Sequence, residues 1–502
     1  MNDEKTIVVD AKPSRTDTGI AGLDDILLGG LPGSNVFLVE GEPGTGKTTL
    51  GLQFLLAGAA RGEPVLYVTL SESEREIREV ARSHDWSLDG VCIFEFIAQE
   101  NGLRPEEQYS AFHPAEIELQ DTTQSVLQEV ERCRPRRLVL DSLSEIRLLA
   151  RDPLRYRRQV LALKQFFSTC NCTVMLLDDL SGSPEDQQLR SIAHGVLVME
   201  MLPRDFGIIR RRLRVAKLRG SSFREGYHDY TIARGGVVVF PRLISAEHGG
   251  DFLPDTIASG LPELDSLWGG GVQKGSSTLI IGPAGAGKSS LAMVYACAAA
   301  RCGMAHTFLF DESTRGALRR ATDLGLDAQQ LRDKGALQVD QVDPAELSPG
   351  EFIHRIRDSV EKRGLSLLVI DSLNGLLAAM PGEDYLALHM HELLAYLHYR
   401  GVTTLMVLTQ SGILGTAMAS SVDLSYLADN MLLLRYFEAS GQVRKAVSVV
   451  KKRTGEHEPT IRELSFEGSR ITIGAPLTEF RGILTGVPLY SGPVTGLQGG
   501  KS

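Results

Sequence analysis

Two stretches of this sequence have the residue types and spacing to hold phosphate: Gly41-Glu-Pro-Gly-Thr-Gly-Lys-Thr48 and Gly282-Pro-Ala-Gly-Ala-Gly-Lys-Ser289. Both fit Gly-x-x-x-x-Gly-Lys-[Ser/Thr]. In such a loop the glycines let backbone N–H groups point at phosphate oxygens. The lysine reaches the β- and γ-phosphates, and the hydroxyl residue ligates Mg²⁺. Each match has an apolar run before it (35–39, 277–281) and a helix-like run after it (49–56, 290–296). Two matches in matching context make chance a poor explanation, so the sequence implies nucleotide binding twice. The candidate nucleotide-binding residues are Gly41, Glu42, Pro43, Gly44, Thr45, Gly46, Lys47, Thr48 and Thr49 in the first copy. In the second they are Gly282, Pro283, Ala284, Gly285, Ala286, Gly287, Lys288, Ser289 and Ser290.

Carboxylates follow in the same order after each loop. Asp141 and Asp371 end apolar strands, and ligands of open α/β sheets sit outside the carboxyl ends of strands. An aspartate there can hold Mg²⁺ together with Thr48 or Ser289; the bland alternative is a cap on the next turn. Glu72 and Glu312 follow an earlier strand, where a carboxylate can orient or deprotonate the nucleophile for in-line attack on the γ-phosphate. The alternative is an acid that complements a helix N-terminus. Asp311 stands before Glu312 where the first copy has Ser71, so the two sites are not expected to behave identically. Lys217, Arg219, Lys451 and Arg453 are candidates for completing a site with positive charge; the alternative is a solvated basic strand. The arginine-rich run 210–214 reads as a charged edge strand, with nucleic-acid contact as the second reading.

These residues need two similar scaffolds. Residues 18–30 recur at 259–271, with Gly19 matching Gly260, Asp24 matching Asp265 and Gly41 matching Gly282, a constant offset of 241. That period is far too long for a solenoid, so each copy is a domain. After each loop and helix come short apolar runs at 64–70 and 306–310, then 137–141 and 367–371, then 173–177 and 404–408. They alternate with helical segments, the pattern of a parallel sheet covered on both faces. Antiparallel strands carrying basic residues close each copy at 215–220 and 449–453. The expected fold is α/β: an N-terminal arm over 1–17, a first domain over 18–244, a linker over 245–254, a second domain over 255–480 and a tail over 481–502. Each domain is expected to be a mostly parallel sheet flanked by helices.

A chain of 502 residues is too long for one ordinary core. The 53 Lys+Arg against 63 Asp+Glu give a net charge of −10, which argues against a nucleic-acid coat or a polybasic membrane anchor. No run approaches a membrane span. The first residues are charged and lack an apolar signal core. The six cysteines are scattered without metal-ligand spacing, and read as reduced thiols, mostly buried or inert. A soluble, cytoplasmic protein is expected.

Together, the duplicated Gly-Leu-Asp…Gly-Gly lead-in, the paired loops, the acidic residues, the Asp-Ser pairs (141–142, 371–372) and the Lys-x-Arg near each domain's end resemble the KaiC family of the RecA-like P-loop ATPases. The match is to its double-domain members and covers roughly residues 18–480. The resemblance implies two tandem RecA-like domains and a double-ring homohexamer that holds ATP and Mg²⁺ between neighbouring subunits. Lys217 and Arg219, and likewise Lys451 and Arg453, match positions that reach a neighbour's γ-phosphate. Family members hydrolyse ATP in the first ring. In the second they can phosphorylate and dephosphorylate a Ser/Thr pair, as a clock or timer. Here that pair falls on Ser425-Tyr426, with Ser420 and Ser421 nearby. The tyrosine argues against a two-step serine/threonine cycle and leaves Ser425 as the main phosphoacceptor candidate. The tail is shorter than the one that binds the stimulatory partner KaiA, so KaiA is not expected; a KaiB-like partner on the first ring stays open. Three readings follow: an ATPase with second-ring serine autokinase activity, an ATPase scaffold without it, and a nucleic-acid-dependent ATPase on the same core. The net charge counts against the third.

Overall fold

A computed structural model describes residues 14–96, 114–180, 189–203, 207–245, 255–378, 386–410, 426–439, 441–484 and 489–491. The chain divides into two compact units, Met1–Arg242 and Leu243–Ser502. Most of the expected arm, linker and tail, and Ser420, Ser421 and Ser425, lie outside the described residues.

The first unit is built on nine strands: β1 (Val36–Gly41), β2 (Val65–Thr69), β3 (Val91–Glu95), β4 (Arg137–Asp141), β5 (Thr173–Asp179), β6 (Gly195–Leu202), β7 (Arg210–Leu218), β8 (His228–Ala233) and β9 (Gly236–Phe240). They lie in the order β3-β2-β4-β5-β1-β6-β7-β8-β9. The first six run parallel, and β7, β8 and β9 continue antiparallel. The nine strands of the second unit are β10 (Ser277–Gly282), β11 (Met304–Leu309), β12 (Leu337–Gln341), β13 (Leu365–Asp371), β14 (Thr403–Thr409), β15 (Asn430–Ala439), β16 (Gln442–Lys452), β17 (Arg462–Glu467) and β18 (Arg470–Pro476). Their order, β12-β11-β13-β14-β10-β15-β16-β17-β18, repeats that of the first unit, as a duplication requires.

Alternation of side chains explains why both sheets are buried on both faces. Phe37 and Val39 of β1 face one core layer with Leu50 and Leu55 of helix α1 (Lys47–Ala59). Val36 and Leu38 face the other layer, with Val126 and Val130 of α2 (Pro114–Cys133) and Val160 and Leu163 of α3 (Pro153–Thr169). In the second unit Leu279 and Ile280 divide in the same way between two layers. The repeated lead-in has a structural role too. Asp24 Oδ1 accepts the Thr18 N–H at 2.8 Å, and Asp265 Oδ1 accepts the Ser259 N–H at 2.7 Å, closing the same turn in each unit.

One expectation is corrected here. Residues 210–214 do not form an edge: β7 lies between β6 and β8. Arg210 is buried, Arg212 pairs with Glu200 at 2.8 Å, and Arg212 stacks on the Tyr227 ring at 3.9 Å. The neighbouring carboxylate and ring neutralise and cover charges that look solvent-facing in the sequence.

Candidate functional site

Each phosphate-type loop turns off the carboxyl end of the strand at which the sheet order changes direction, β1 or β10. The residue before the lysine must take a left-handed backbone: φ is +94° at Gly46 and +105° at Gly287. A Cβ at Gly46 would also lie 2.6 Å from Ile232 Cδ1, and one at Gly287 would lie 2.4 Å from the Phe466 ring. Only glycine suits that position. The loops are fastened from the antiparallel extension by tyrosines, Tyr230 donating to the Thr45 carbonyl at 2.7 Å and Tyr436 to the Ala284 carbonyl at 3.1 Å.

In the first unit Lys47 Nζ donates to the Gly41 and Glu42 carbonyls at 2.7 and 3.1 Å and pairs with Asp179 at 2.9 Å. Thr48 Oγ1 donates to Asp141 Oδ2 at 2.9 Å, and the buried Tyr67 hydroxyl donates to the same oxygen at 2.5 Å. Burial and the Asp141 charge push the Tyr67 phenol well up, so it stays a donor. Among the described residues, the Asp141 side chain thus bonds to the loop helix and to Tyr67. Ser142 precedes the next helix without a side-chain cap bond.

Glu72 is set just ahead of the helix Glu74–Ser83. Ser73 and Glu76 form the capping box of that helix. The side-chain cap of that helix is thus supplied by residues other than Glu72. Its backbone is locked by Thr69, whose hydroxyl accepts the Glu72 N–H at 3.0 Å and donates to the Glu72 carbonyl at 2.6 Å. Its Oε2 is buried with no hydrogen-bond partner among the described residues. Burial first, then the charges of Asp141 and Glu76, raises its carboxyl above the ordinary range. A buried carboxylate oxygen lacking a partner beside the loop suits a base that awaits a proton.

The second candidate site has the same frame with different neighbours. Lys288 Nζ donates to the Pro283 carbonyl at 2.7 Å, and burial pulls it down to about 8. Asp371 is raised by burial, opposed by a hydrogen bond with Ser289. Glu312 again precedes a serine-capped helix (Thr314–Asp323), but it is paired with Arg320. Asp311 accepts a hydrogen bond from the Ser372 hydroxyl. The Tyr67 position is Thr307 and the Asp179 position is Thr409, by strand register. Thus Tyr67, Asp179 and Arg320, which the motifs do not single out, account for much of the difference between the sites. Tyr67 and Arg320 carry no sequence signal beyond strand and helix periodicity; Asp179 stands at a strand end, where the motif logic could have found it.

The basic residues do not join their own loops. Gly41 lies beside Met199 and Leu213, whereas Lys217 lies four residues further along β7, opposite Val196. That is roughly 13 Å toward the other end of the sheet. Lys217 Nζ is held by the carbonyls of Arg190 and Ala193 at 2.5 and 2.7 Å, and Arg219 by that of Ser191 at 2.7 Å. In the second unit Lys451 donates to the Ala428 carbonyl at 2.6 Å and Arg453 pairs with Asp429 at 2.8 Å, again at the start of the loop-bearing strand. Tyr426, the described half of the phosphoacceptor pair, is exposed.

The donor sets fit Mg²⁺: in each unit one hydroxyl and one strand-end carboxylate already touch, as a hard cation held by oxygen requires. No helix among the described residues is long and apolar enough to cross a membrane.

A family model described as "ATPase: KaiC" matches residues 16–244 and again 257–478. The chain is 27% identical over 488 residues to "Circadian clock protein KaiC3" of Synechocystis sp., covering 95% of both chains. It is 27% identical over 486 residues to "Circadian clock oscillator protein KaiC" of Acaryochloris marina, covering 94% of this chain and 90% of that one. The same identity holds over 486 residues with the protein of that name from Synechococcus elongatus, with 94% and 91% covered. With two tandem sheets of one topology, two phosphate-type loops and a family match over most of its length, the chain belongs to the KaiC ATPase family.

Proposed function

We propose that this protein binds ATP at both loops, hydrolyses it at the first, and transfers phosphate to its own Ser425 at the second, as a timer or switch in signalling. The observation that carries the hydrolytic half is Glu72, whose buried oxygen beside the loop has no hydrogen-bond partner among the described residues and can take the proton of an attacking water. Mg²⁺ bound between Thr48 and Asp141, or Ser289 and Asp371, would neutralise charge on the β- and γ-phosphates. Lys47 and Lys288 would hold the same oxygens. Lys217, Arg219, Lys451 and Arg453 would act on a neighbouring subunit's nucleotide in a homohexamer, which their position at the far end of each sheet favours. A cytoplasmic location and a clock-like role are carried over from the relatives' family and printed names.

A second reading, an ATPase ring without kinase activity, is favoured by the engagement of Glu312 with Arg320 and Asp311 with Ser372. It is favoured further by Tyr426, which stands where a second acceptor threonine would. ATP labelled on the γ-phosphate separates the two readings. Label retained on wild type and lost in Ser425→Ala supports the autokinase. Free phosphate released with no label on protein leaves the ATPase alone.

A further inference from the structure

Cys92 and Cys133 are forty-one residues apart in the chain, yet their sulfurs lie 3.4 Å apart. Cys92 is on β3, the outer parallel strand, and Cys133 ends α2. Glu129 sits one turn before Cys133, so both face the strand. Its Oε1 is 3.1 Å from Cys133 Sγ and 3.9 Å from Cys92 Sγ. All three residues are half-buried, and the cysteines pack against the apolar layer between α2 and the sheet.

We propose that Cys92, Cys133 and Glu129 form a binding site for a soft divalent cation of the zinc class, with a fourth position open to water. Zn–S bonds of about 2.3 Å and Zn–O bonds of about 2.0–2.2 Å in a tetrahedron put ligand atoms about 3.5–3.8 Å apart. The three separations here fall within about half an ångström of that without moving the backbone. Two thiols and one carboxylate are a donor set for Zn²⁺ rather than for Mg²⁺, which takes oxygen only. Each thiol gives its proton to solvent as its sulfur bonds to the metal, and two thiolates with one carboxylate outweigh the charge of the ion by one.

That surplus has a counter-charge in place. Arg132 grips Glu129 through Nε–Oε2 at 2.8 Å and Nη2–Oε1 at 2.5 Å, and its Nη2 comes within 3.9 Å of Cys92 Sγ. Its side chain is 67% exposed, so it can swing from the site's mouth and remain on the outer carboxylate oxygen.

The test uses the full-length chain, reduced, chelator-treated and free of nucleotide. Co²⁺ is titrated as the probe and the thiolate-to-cobalt charge-transfer absorption is read, a band that the oxygen donors of the nucleotide sites cannot give. One equivalent per chain should raise the band, and Zn²⁺ should bleach it. Cys92→Ser with Cys133→Ser should abolish it. Glu129→Gln should weaken cobalt affinity at least tenfold, and Cys170→Ser with Cys172→Ser should leave the band unchanged. No band in the wild-type protein overturns the site, a result that depends on no variant folding. A band that survives loss of Cys92 and Cys133 overturns it equally.

Discussion

Glu72 and Glu312 occupy the same position in two copies of one scaffold, and their neighbours assign them different states. Glu72 has a buried oxygen without a hydrogen-bond partner among the described residues, while Glu312 is held by Arg320. Glu72→Gln is therefore expected to keep nucleotide bound at the first site and to lower phosphate release by about 10²–10⁴-fold. Steady-state release and retained nucleotide, measured together, check it. Normal turnover would remove Glu72 from the base role. Because burial raises its carboxyl above the ordinary 4.5, the acid limb of the wild-type rate should lie higher in pH than for an exposed glutamate. Lys288 gives a second pH effect. Its ammonium is drawn down from 10.5 to about 8, so the empty site loses its charge above pH 8 while the unfolded chain keeps it up to about 10.5. The unfolded state then binds more protons, so this group adds stability as pH rises through that interval. Phosphate needs the charged form, so affinity at the second loop should fall over the same interval. Nucleotide titrations with Lys47→Ala protein, which isolates that loop, should show it. The loops can be picked out in the sequence by their glycine-lysine spacing, and Asp141, Asp371, Glu72 and Glu312 because each is a charge that closes or shortly follows an apolar run. Tyr67 and Arg320 are not, since a tyrosine in a strand or an arginine in a helix looks ordinary until register brings it against a carboxylate.

Among the elements, β4 ends in Asp141 and carries a buried arginine at its other end. Arg137 is fully buried. It pairs with Glu63 at 2.6 Å and Asp17 at 2.7 Å, donates to the Phe54 carbonyl at 2.9 Å and stacks on the Phe54 ring at 5.0 Å. Removing one partner of such a network leaves the others uncompensated, at a cost of about 3–5 kcal/mol. Arg137→Ala should destabilise the first unit by that amount in denaturant titrations while the second unit's transition stays in place. The parallel strands were readable from short apolar runs alternating with helical segments, and so was the duplication. The arginine-rich run of β7 was not: its burial depends on Glu200, Tyr227 and two flanking strands that no local pattern reveals. The same holds for Cys92 and Cys133, whose scattered spacing hides a contact made only when an edge strand meets the end of a helix.

At the scale of the whole molecule, the far-end position of the basic residues calls for an experiment on mixtures. Lys47→Ala subunits lack a competent loop, and Arg219→Ala subunits lack the cation that would reach a neighbour. If each site is shared, mixed assemblies should hydrolyse more ATP than the average of the two pure variants. Strict averaging would place Arg219 outside the reaction. Lys217 and Gly41 stand well apart along a single sheet. If Lys217 serves a neighbour's nucleotide, each subunit is polar, with a face that gives and a face that receives. In each ring, an open row of such subunits would have one fewer finished site than it has members, and only closure on itself makes the two numbers equal. Dilution that opens the assembly would then cost turnover before it costs any chain its fold.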